Sequence, residues 1–162
     1  MAVEQGDRAP DFSLAGTDGE TYRLSDALER GPALLVFFKT TCPTCHLTFP
    51  YINRLFERYP DGWSVWAVAQ DPPAASRAYE AEHGLTYPVL PDVDGYAVSK
   101  LYDPPATPTL YLIDRDGTVA LRSHGFSKTD LNALSEALAE RLGREAVVVA
   151  AADDGNPDFK PG

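Results

Sequence analysis

The sequence has little cysteine, little positive charge and no long apolar run. It contains 2 cysteines, and 14 lysine and arginine residues stand against 24 aspartate and glutamate residues. The resulting net charge of −10 opposes binding to phosphate backbones and anionic lipid, both of which attract cationic proteins. The apolar runs, such as Ala33 to Phe38 and Ala146 to Ala152, are far shorter than the ~20 residues that cross a bilayer. We therefore expect neither a nucleic-acid partner nor a membrane partner.

The first residues also lack the basic and apolar stretches of a secretory signal, so the sequence predicts a cytoplasmic protein. Two cysteines cannot build a disulfide framework, and a chain of 162 residues with 44% hydrophobic content does not need one. We predict one domain over residues 1–145. Residues 146–162 form a tail in which a brief apolar patch, Ala146 to Ala152, gives way to a polar end rich in proline and glycine, and we predict that this tail is flexible.

Hydrophobic patterning predicts an α/β fold. The run 33–38 is apolar on both faces, as in a central buried strand, and helical spacing follows it. A second strand and helix repeat the order, which favours a parallel pair joined by a right-handed crossover. The predicted elements are a hairpin at 12–24, strand 33–38, helix 43–59 with a kink at Pro50, strand 63–69, helix 73–83, an extended segment 87–90, helix 95–102, a hairpin of strands 110–113 and 118–122, and helix 127–143.

The two cysteines stand between the central strand and its helix, in the order Cys42-Pro43-Thr44-Cys45. A helix N-terminus carries a partial positive charge and unpaired N–H groups, which favour the thiolate form of Cys42. That thiolate can attack a disulfide, and Cys45, one turn further along, can attack the resulting mixed disulfide. The spacing therefore predicts a redox-active Cys42–Cys45 disulfide.

Two other chemistries use a similar pattern. A zinc site would need two more ligands, and the histidines available are His46, His83 and His124. His46 also completes a CxxCH sequence, the attachment motif of c-type haem. Haem attachment ordinarily needs an exported chain and a second axial ligand, whereas Met1 is the sole methionine. We therefore expect no metal and no cofactor.

Four landmarks carry a family resemblance. They are the opening Gly6 to Phe12, the Cys42 to Cys45 motif after a strand, the Phe49-Pro50 pair, and Thr107-Pro108 before a later strand. Together they resemble the thioredoxin-like superfamily, most closely the TlpA/ResA-like thiol-disulfide reductases of the redoxin branch, which is related to the AhpC/TSA peroxiredoxins. The resemblance covers about residues 5–143. It implies a thioredoxin-like fold: a central mixed β-sheet flanked by helices, with an N-terminal β-hairpin extension and a βα insertion.

The resemblance also implies roles for individual residues. Cys42 matches the family's nucleophile and Cys45 its resolving cysteine. Pro108 matches the cis-proline that faces the dithiol and leaves the backbone of Thr107 free to pair with an extended substrate. The implied function is reduction of disulfides in a protein or a small thiol, with electrons from a donor that the sequence does not identify. The oligomeric state is likewise not encoded in any motif.

The sequence departs from the family pattern at two positions near the dithiol. Thr41 stands where relatives carry an aromatic residue, and Val36 stands where thioredoxins proper carry a buried acid. The proton acceptor for Cys45 must therefore be another group or water. Asp71 is a candidate because it follows the next strand, although a carboxylate before two prolines is also an ordinary loop residue.

Five residues around the dithiol are candidate modulators of its chemistry: Lys39, Pro43, Thr44, His46 and Asp71. The dipeptide between the cysteines influences the reduction potential. A cation can stabilise a thiolate, and His46 falls four residues after Cys42 on a similar helical face, although both basic residues can equally be solvated bystanders.

Two other functions stay open at this stage. One is a peroxiredoxin-like peroxidase, but the Pro-x-x-x-Thr-x-x-Cys pocket of that class is not spelled out, because Leu35 stands seven residues before Cys42. The other is a non-catalytic thioredoxin-fold module that senses redox state or binds a partner. A dithiol that titrates without reducing any disulfide would indicate this second function.

Overall fold

A central sheet with helices on both sides forms the fold of residues 2–162, the part that the computed structural model describes; Met1, the first residue of the predicted domain, lies outside it. The strands are β1 (Ser13–Ala15), β2 (Thr21–Arg23), β3 (Ala33–Phe38), β4 (Ser64–Ala69), β5 (Val89–Pro91), β6 (Thr109–Ile113), β7 (Val119–His124), β8 (Phe126–Ser127) and β9 (Phe159–Lys160). The helices are α1 (Leu24–Leu28), α2 (Pro43–Arg58), α3 (Pro73–Glu82), α4 (Ala97–Tyr102) and α5 (Lys128–Leu142).

The central sheet is mixed, with strand order β5-β4-β3-β6-β7. Strand β3 pairs in parallel with β4 and antiparallel with β6, so Val36 lies between Ala67 and Leu110. The predicted buried central strand is confirmed, since all six of its residues are buried. A strand that is apolar on both faces suits this position because helices cover both faces.

Side chains of β3 alternate between two hydrophobic clusters. Leu34, Val36 and Phe38 belong to the cluster that contains α2, α5 and one tyrosine of α3, which we call the near side. The intervening residues of β3 belong to the cluster that contains α1, α4 and the N-terminal segment, which we call the far side. Both cysteines lie on the near side.

The remaining elements follow the sequence pattern closely. The first predicted hairpin forms between β1 and β2, and the last between β6 and β7. Helix α2 continues from Pro43 to Arg58 through Pro50, which is exposed. Elements α3, β5 and α4 lie between β4 and β6, where a βα insertion belongs. Within residues 2–162, no helix has the length and apolar character needed to span a membrane.

The segment after residue 145 differs from the flexible tail that the sequence predicts. Val149 and Ala150 are buried, and Asn132 of α5 makes hydrogen bonds of 2.9 Å to both the N–H and the carbonyl of Ala150. Further along, β9 pairs antiparallel with β8. Local composition did not indicate these contacts because they join residues more than fifteen positions apart. The domain boundary at 145 stays a prediction.

Candidate active site

The dithiol sits at the carboxyl end of the central strand and the amino end of α2. Cys42 is the N-cap of this helix, and its sulfur accepts the backbone N–H of Cys45 over 3.1 Å. Pro43 occupies the first helical turn, where its missing N–H leaves no hydrogen bond unmade. Both cysteines are thiols in the structure. The predicted placement of the motif at a helix N-terminus is confirmed.

The two thiols differ in exposure, and burial affects the acidity of Cys45. Cys42 is 9% exposed and Cys45 is 0% exposed. Burial raises the pKa of the Cys45 thiol, and its interaction with Cys42 raises it further. Cys45 therefore stays protonated at neutral pH, while Cys42 is the thiol that an incoming molecule can reach.

A loop from the adjacent strand approaches Cys42. The Thr107–Pro108 peptide bond is cis, and the Cys42 thiol donates a hydrogen bond of 3.3 Å to the carbonyl oxygen of Thr107. This loop immediately precedes β6, which is the neighbour of β3 in the sheet. The carbonyl of Pro108 accepts the N–H of Gly125 over 2.8 Å, which ties the loop to the end of β7.

Asp71, the predicted candidate for proton transfer, holds the backbone before the motif. Its carboxylate accepts the N–H of Thr40 over 2.7 Å, and its own carbonyl accepts the hydroxyl of Ser76 over 3.1 Å. It is partly buried and lies at the end of β4, as predicted. The geometry gives Asp71 a part in shaping the turn that presents Cys42.

Two other predicted modulators, Lys39 and Thr44, differ in their exposure and in their hydrogen-bond partners. Lys39 is exposed, and its backbone carbonyl accepts the N–H of Cys42 over 3.2 Å. Thr44 is buried, and its hydroxyl donates to the carbonyl of Pro161 over 2.9 Å. The structure therefore brings Thr44 into contact with the C-terminal segment.

His46 belongs to an aromatic cluster that the sequence did not indicate as part of the site. Its Nδ1 lies 2.9 Å from the hydroxyl of Tyr79 in α3. The ring of His83 stacks on Tyr79 at 3.9 Å and on His46 at 5.0 Å. Tyr79 and His83 are four residues apart, so their shared helical face was the available sequence signal.

The electrostatics of this cluster connect it to the dithiol. Burial raises the pKa of Tyr79, and the nearby sulfurs of Cys45 and Cys42 raise it further. Burial also lowers the pKa of His83, with a further contribution from His46. Tyr79 therefore remains a neutral hydroxyl at physiological pH. In the part of the chain from residue 2 to residue 162, no three His, Cys, Asp or Glu residues are grouped so as to hold a metal ion.

A mixed sheet with a Cys-x-x-Cys motif at a helix N-terminus and a cis-proline beside it defines a thioredoxin-like protein. Sequence comparison agrees, because the AhpC/TSA family model matches residues 5–122. The chain belongs to the AhpC/TSA family.

Named relatives share most of the chain. The thiol-disulfide oxidoreductase ResA of Geobacillus thermodenitrificans is 35% identical over 125 residues, or 73% of this chain and 68% of the relative. The thioredoxin-like protein YneN of Bacillus subtilis is 32% identical over 123 residues, or 74% of this chain and 71% of the relative. A crystal structure assigned as the thiol:disulfide interchange protein DsbE of Chlorobium tepidum superposes with a TM-score of 0.78 at 33% identity, covering 88% of this chain and 100% of that one.

Proposed function

We propose that the protein is a thiol-disulfide oxidoreductase in which the Cys42–Cys45 dithiol reduces disulfides of polypeptides or small thiols. The observation that carries this proposal is the pair of unequal thiols at the start of α2, one reachable and one fully buried. The named relatives support it, since ResA is a thiol-disulfide oxidoreductase and DsbE a thiol:disulfide interchange protein.

In the first step, the thiolate of Cys42 attacks one sulfur of the substrate disulfide. The substrate S–S bond breaks, and the second substrate sulfur leaves as a thiolate that takes up a proton. The N–H of Cys45 already points at the Cys42 sulfur, and the N-terminus of α2 favours negative charge there. The product is a mixed disulfide between Cys42 and the substrate.

In the second step, Cys45 loses its proton and attacks the sulfur of Cys42. The bond between Cys42 and the substrate breaks, the remaining substrate thiolate is protonated, and the Cys42–Cys45 disulfide forms. Two electrons pass from the dithiol to the substrate. Because burial raises the pKa of Cys45, this thiol does not compete with Cys42 for the incoming disulfide and reacts once the mixed disulfide lies beside it.

Thr107 and Pro108 form the edge against which a substrate lies in this proposal. The carbonyl of Thr107 is next to the Cys42 sulfur, so a backbone N–H of an extended polypeptide can pair with it while its disulfide reaches Cys42. A dithiol protein or a small thiol then restores the reduced form. We predict reduction in the cytoplasm, whose thiol poise keeps such pairs reduced; cell fractionation with an antibody tests this compartment.

A glutathione titration of the purified protein tests the function. The expected result is a single two-electron transition between dithiol and disulfide, with a potential near the roughly −270 mV of thioredoxin, together with reduction of insulin disulfides. Absence of a reversible Cys42–Cys45 disulfide would overturn the proposal. Rapid consumption of hydrogen peroxide without disulfide reduction would instead favour a peroxidase.

A further inference from the structure

The C-terminal residues 157–162, which we call the cover segment, lie across the candidate active site. The carbonyl of Pro161 accepts the hydroxyl of Thr44, the residue next to the buried cysteine, over 2.9 Å. Gly162 lies so close to Thr107 that a Cβ on it would clash with the Thr107 carbonyl oxygen. The cover segment therefore occupies the edge that the proposed function assigns to an extended substrate.

Two glycines allow this close approach. Gly125 is buried with a φ of +72°, and a Cβ on it would lie 2.8 Å from the carbonyl oxygen of Lys160 and 3.2 Å from the nitrogen of Gly162. Strand β9 continues the contact by pairing antiparallel with β8. The segment thus binds as an added β-strand, the geometry by which sheet edges take extended peptides.

The stretch before the cover segment is firmly attached, and we call residues 147–156 the anchor. The ammonium group of Lys128 contacts the Asp154 carboxylate at 2.7 Å and the carbonyl of Ala151 at 2.8 Å, with the lysine side chain only 6% exposed. The hydroxyl of Tyr51 donates to the same carboxylate. Val149 adds buried apolar surface.

The cover segment is held much more lightly than the anchor. Phe159 is 56% exposed, and every residue of the segment except Lys160 is exposed. Its contacts are mainly backbone hydrogen bonds, such as that from the N–H of Lys128 to the carbonyl of Asp158 over 2.9 Å. Segments with few buried apolar contacts open at low free energy, so the cover segment can lift while the anchor stays in place.

We propose that the cover segment is a built-in competitor that must leave the Thr107 edge before a polypeptide disulfide can reach Cys42. This inference rests on the proposed function and adds its regulation. Small disulfides need little more than the sulfur of Cys42, whereas a polypeptide also needs the edge. The cover segment therefore slows reduction of polypeptides much more than reduction of small disulfides.

A truncation that keeps the anchor tests this proposal. If the segment covers the edge about 90% of the time, a chain ending at Asn156 should reduce insulin about tenfold faster than the full chain. Its rate with an aromatic small-molecule disulfide and its glutathione potential should stay close to those of the full chain. A synthetic peptide with the sequence of residues 156–162 should slow the truncated chain again.

Two full-length variants complete the comparison. Gly162→Val places a side chain against the Thr107 carbonyl and should accelerate insulin reduction in the same direction as the truncation. Phe159→Ala is the matched control, because it removes an exposed ring and keeps the backbone pairing of β9, so it should behave like the parent. Equal insulin rates for the parent, the truncated chain and Gly162→Val, all with native circular dichroism, would overturn the proposal.

A separate readout distinguishes this proposal from the proposed function. Alkylation of Cys42 by a maleimide carried on an extended peptide needs the Thr107 edge, as a polypeptide substrate does, but it needs no disulfide chemistry. If no variant reduces any disulfide, the proposed function fails, but the alkylation rate still shows whether the cover segment blocks the Thr107 edge. Faster alkylation of the truncated chain supports the proposal that the cover segment blocks the edge, and an unchanged rate overturns that proposal.

Discussion

The near and far sides of β3 are equally buried but differ in chemistry. On the far side, Phe37 packs against Tyr102 and Tyr111 with ring centroids 5.3 and 5.6 Å apart. On the near side, Phe38 packs against Phe49 and Tyr79 at 4.9 and 5.0 Å, and Tyr79 adjoins the dithiol. Neighbouring residues of one strand therefore belong to a hydrophobic core without cysteine and to the surroundings of the dithiol.

This difference indicates a division between stability and reactivity. The far side contributes burial of large rings, which stabilises the fold without a titrating thiol in its cluster. The near side combines similar burial with both cysteines and with the docking of the C-terminal segment. Substitutions on the far side should change the free energy of unfolding alone, whereas removing a large near-side ring that packs beside the dithiol should also change the thiol chemistry.

The largest functional effect is expected at the near-side sulfurs. Cys42→Ser should remove disulfide reduction entirely, because a serine hydroxyl is not a nucleophile toward disulfides at neutral pH. Cys45→Ser should instead accumulate the mixed disulfide between Cys42 and the substrate, visible by mass spectrometry under non-reducing conditions. Both variants should melt close to the parent. Turnover by Cys42→Ser would contradict the assignment of the nucleophile.

The next prediction compares substitutions of two neighbouring residues of β3 whose side chains lie on opposite sides of the sheet. Phe37→Ala should lower the free energy of unfolding by about 3–5 kcal/mol and the melting temperature by roughly 10 °C, since the ring is fully buried. Its glutathione potential should equal that of the parent. Phe38→Ala, the matched variant one residue along, should destabilise similarly and also shift the potential. A shifted potential in Phe37→Ala would break the proposed division.

The sequence predicted the parts of this arrangement that depend on local pattern. Strand β3 and helix α2 follow from apolar periodicity, and the motif between them predicts Cys42 and Cys45 as the reactive pair. Tyr79 was not predicted as a neighbour of the dithiol, because that contact depends on how α3 packs across the sheet. The docking of Pro161 on Thr44 was missed for the same reason, since the two residues are 117 positions apart.

A smaller effect concerns the anchor on the near side. The ammonium group of Lys128 and the hydroxyl of Tyr51 hold the pKa of Asp154 well below its usual value of 3.8. A carboxyl with a lowered folded-state pKa stabilises above its unfolded pKa and loses that contribution as pH falls through the folded value. The anchor should therefore be unchanged between pH 8 and pH 6 and loosen only in strong acid.

Hydrogen exchange checks the anchor directly. The protection factor of the Ala150 amide, which donates to Asn132, should be constant across neutral pH and fall in acid. Lys128→Met removes the cation and should lower this protection at pH 7. Leu28→Ala, a far-side control, should change the protection of the Ala150 amide only as far as it lowers the free energy of global unfolding. Protection that declines between pH 8 and pH 6 would contradict the role of the ion pair.

The smallest expected effect tests whether a hydroxyl of α3 influences the thiol chemistry of the near side. Tyr79→Phe keeps the ring against Phe38 and Phe49 but removes the hydroxyl that lies 2.9 Å from His46. Losing one hydrogen bond should lower the free energy of unfolding by about 1 kcal/mol. Because burial and the sulfurs raise the pKa of Tyr79, the hydroxyl is neutral in the parent, and removing it changes no net charge beside the dithiol. The glutathione potential of Tyr79→Phe at pH 7 should therefore match that of the parent. A shifted potential would extend the reactive region to α3 and make the hydrogen bond to His46 part of what positions the dithiol.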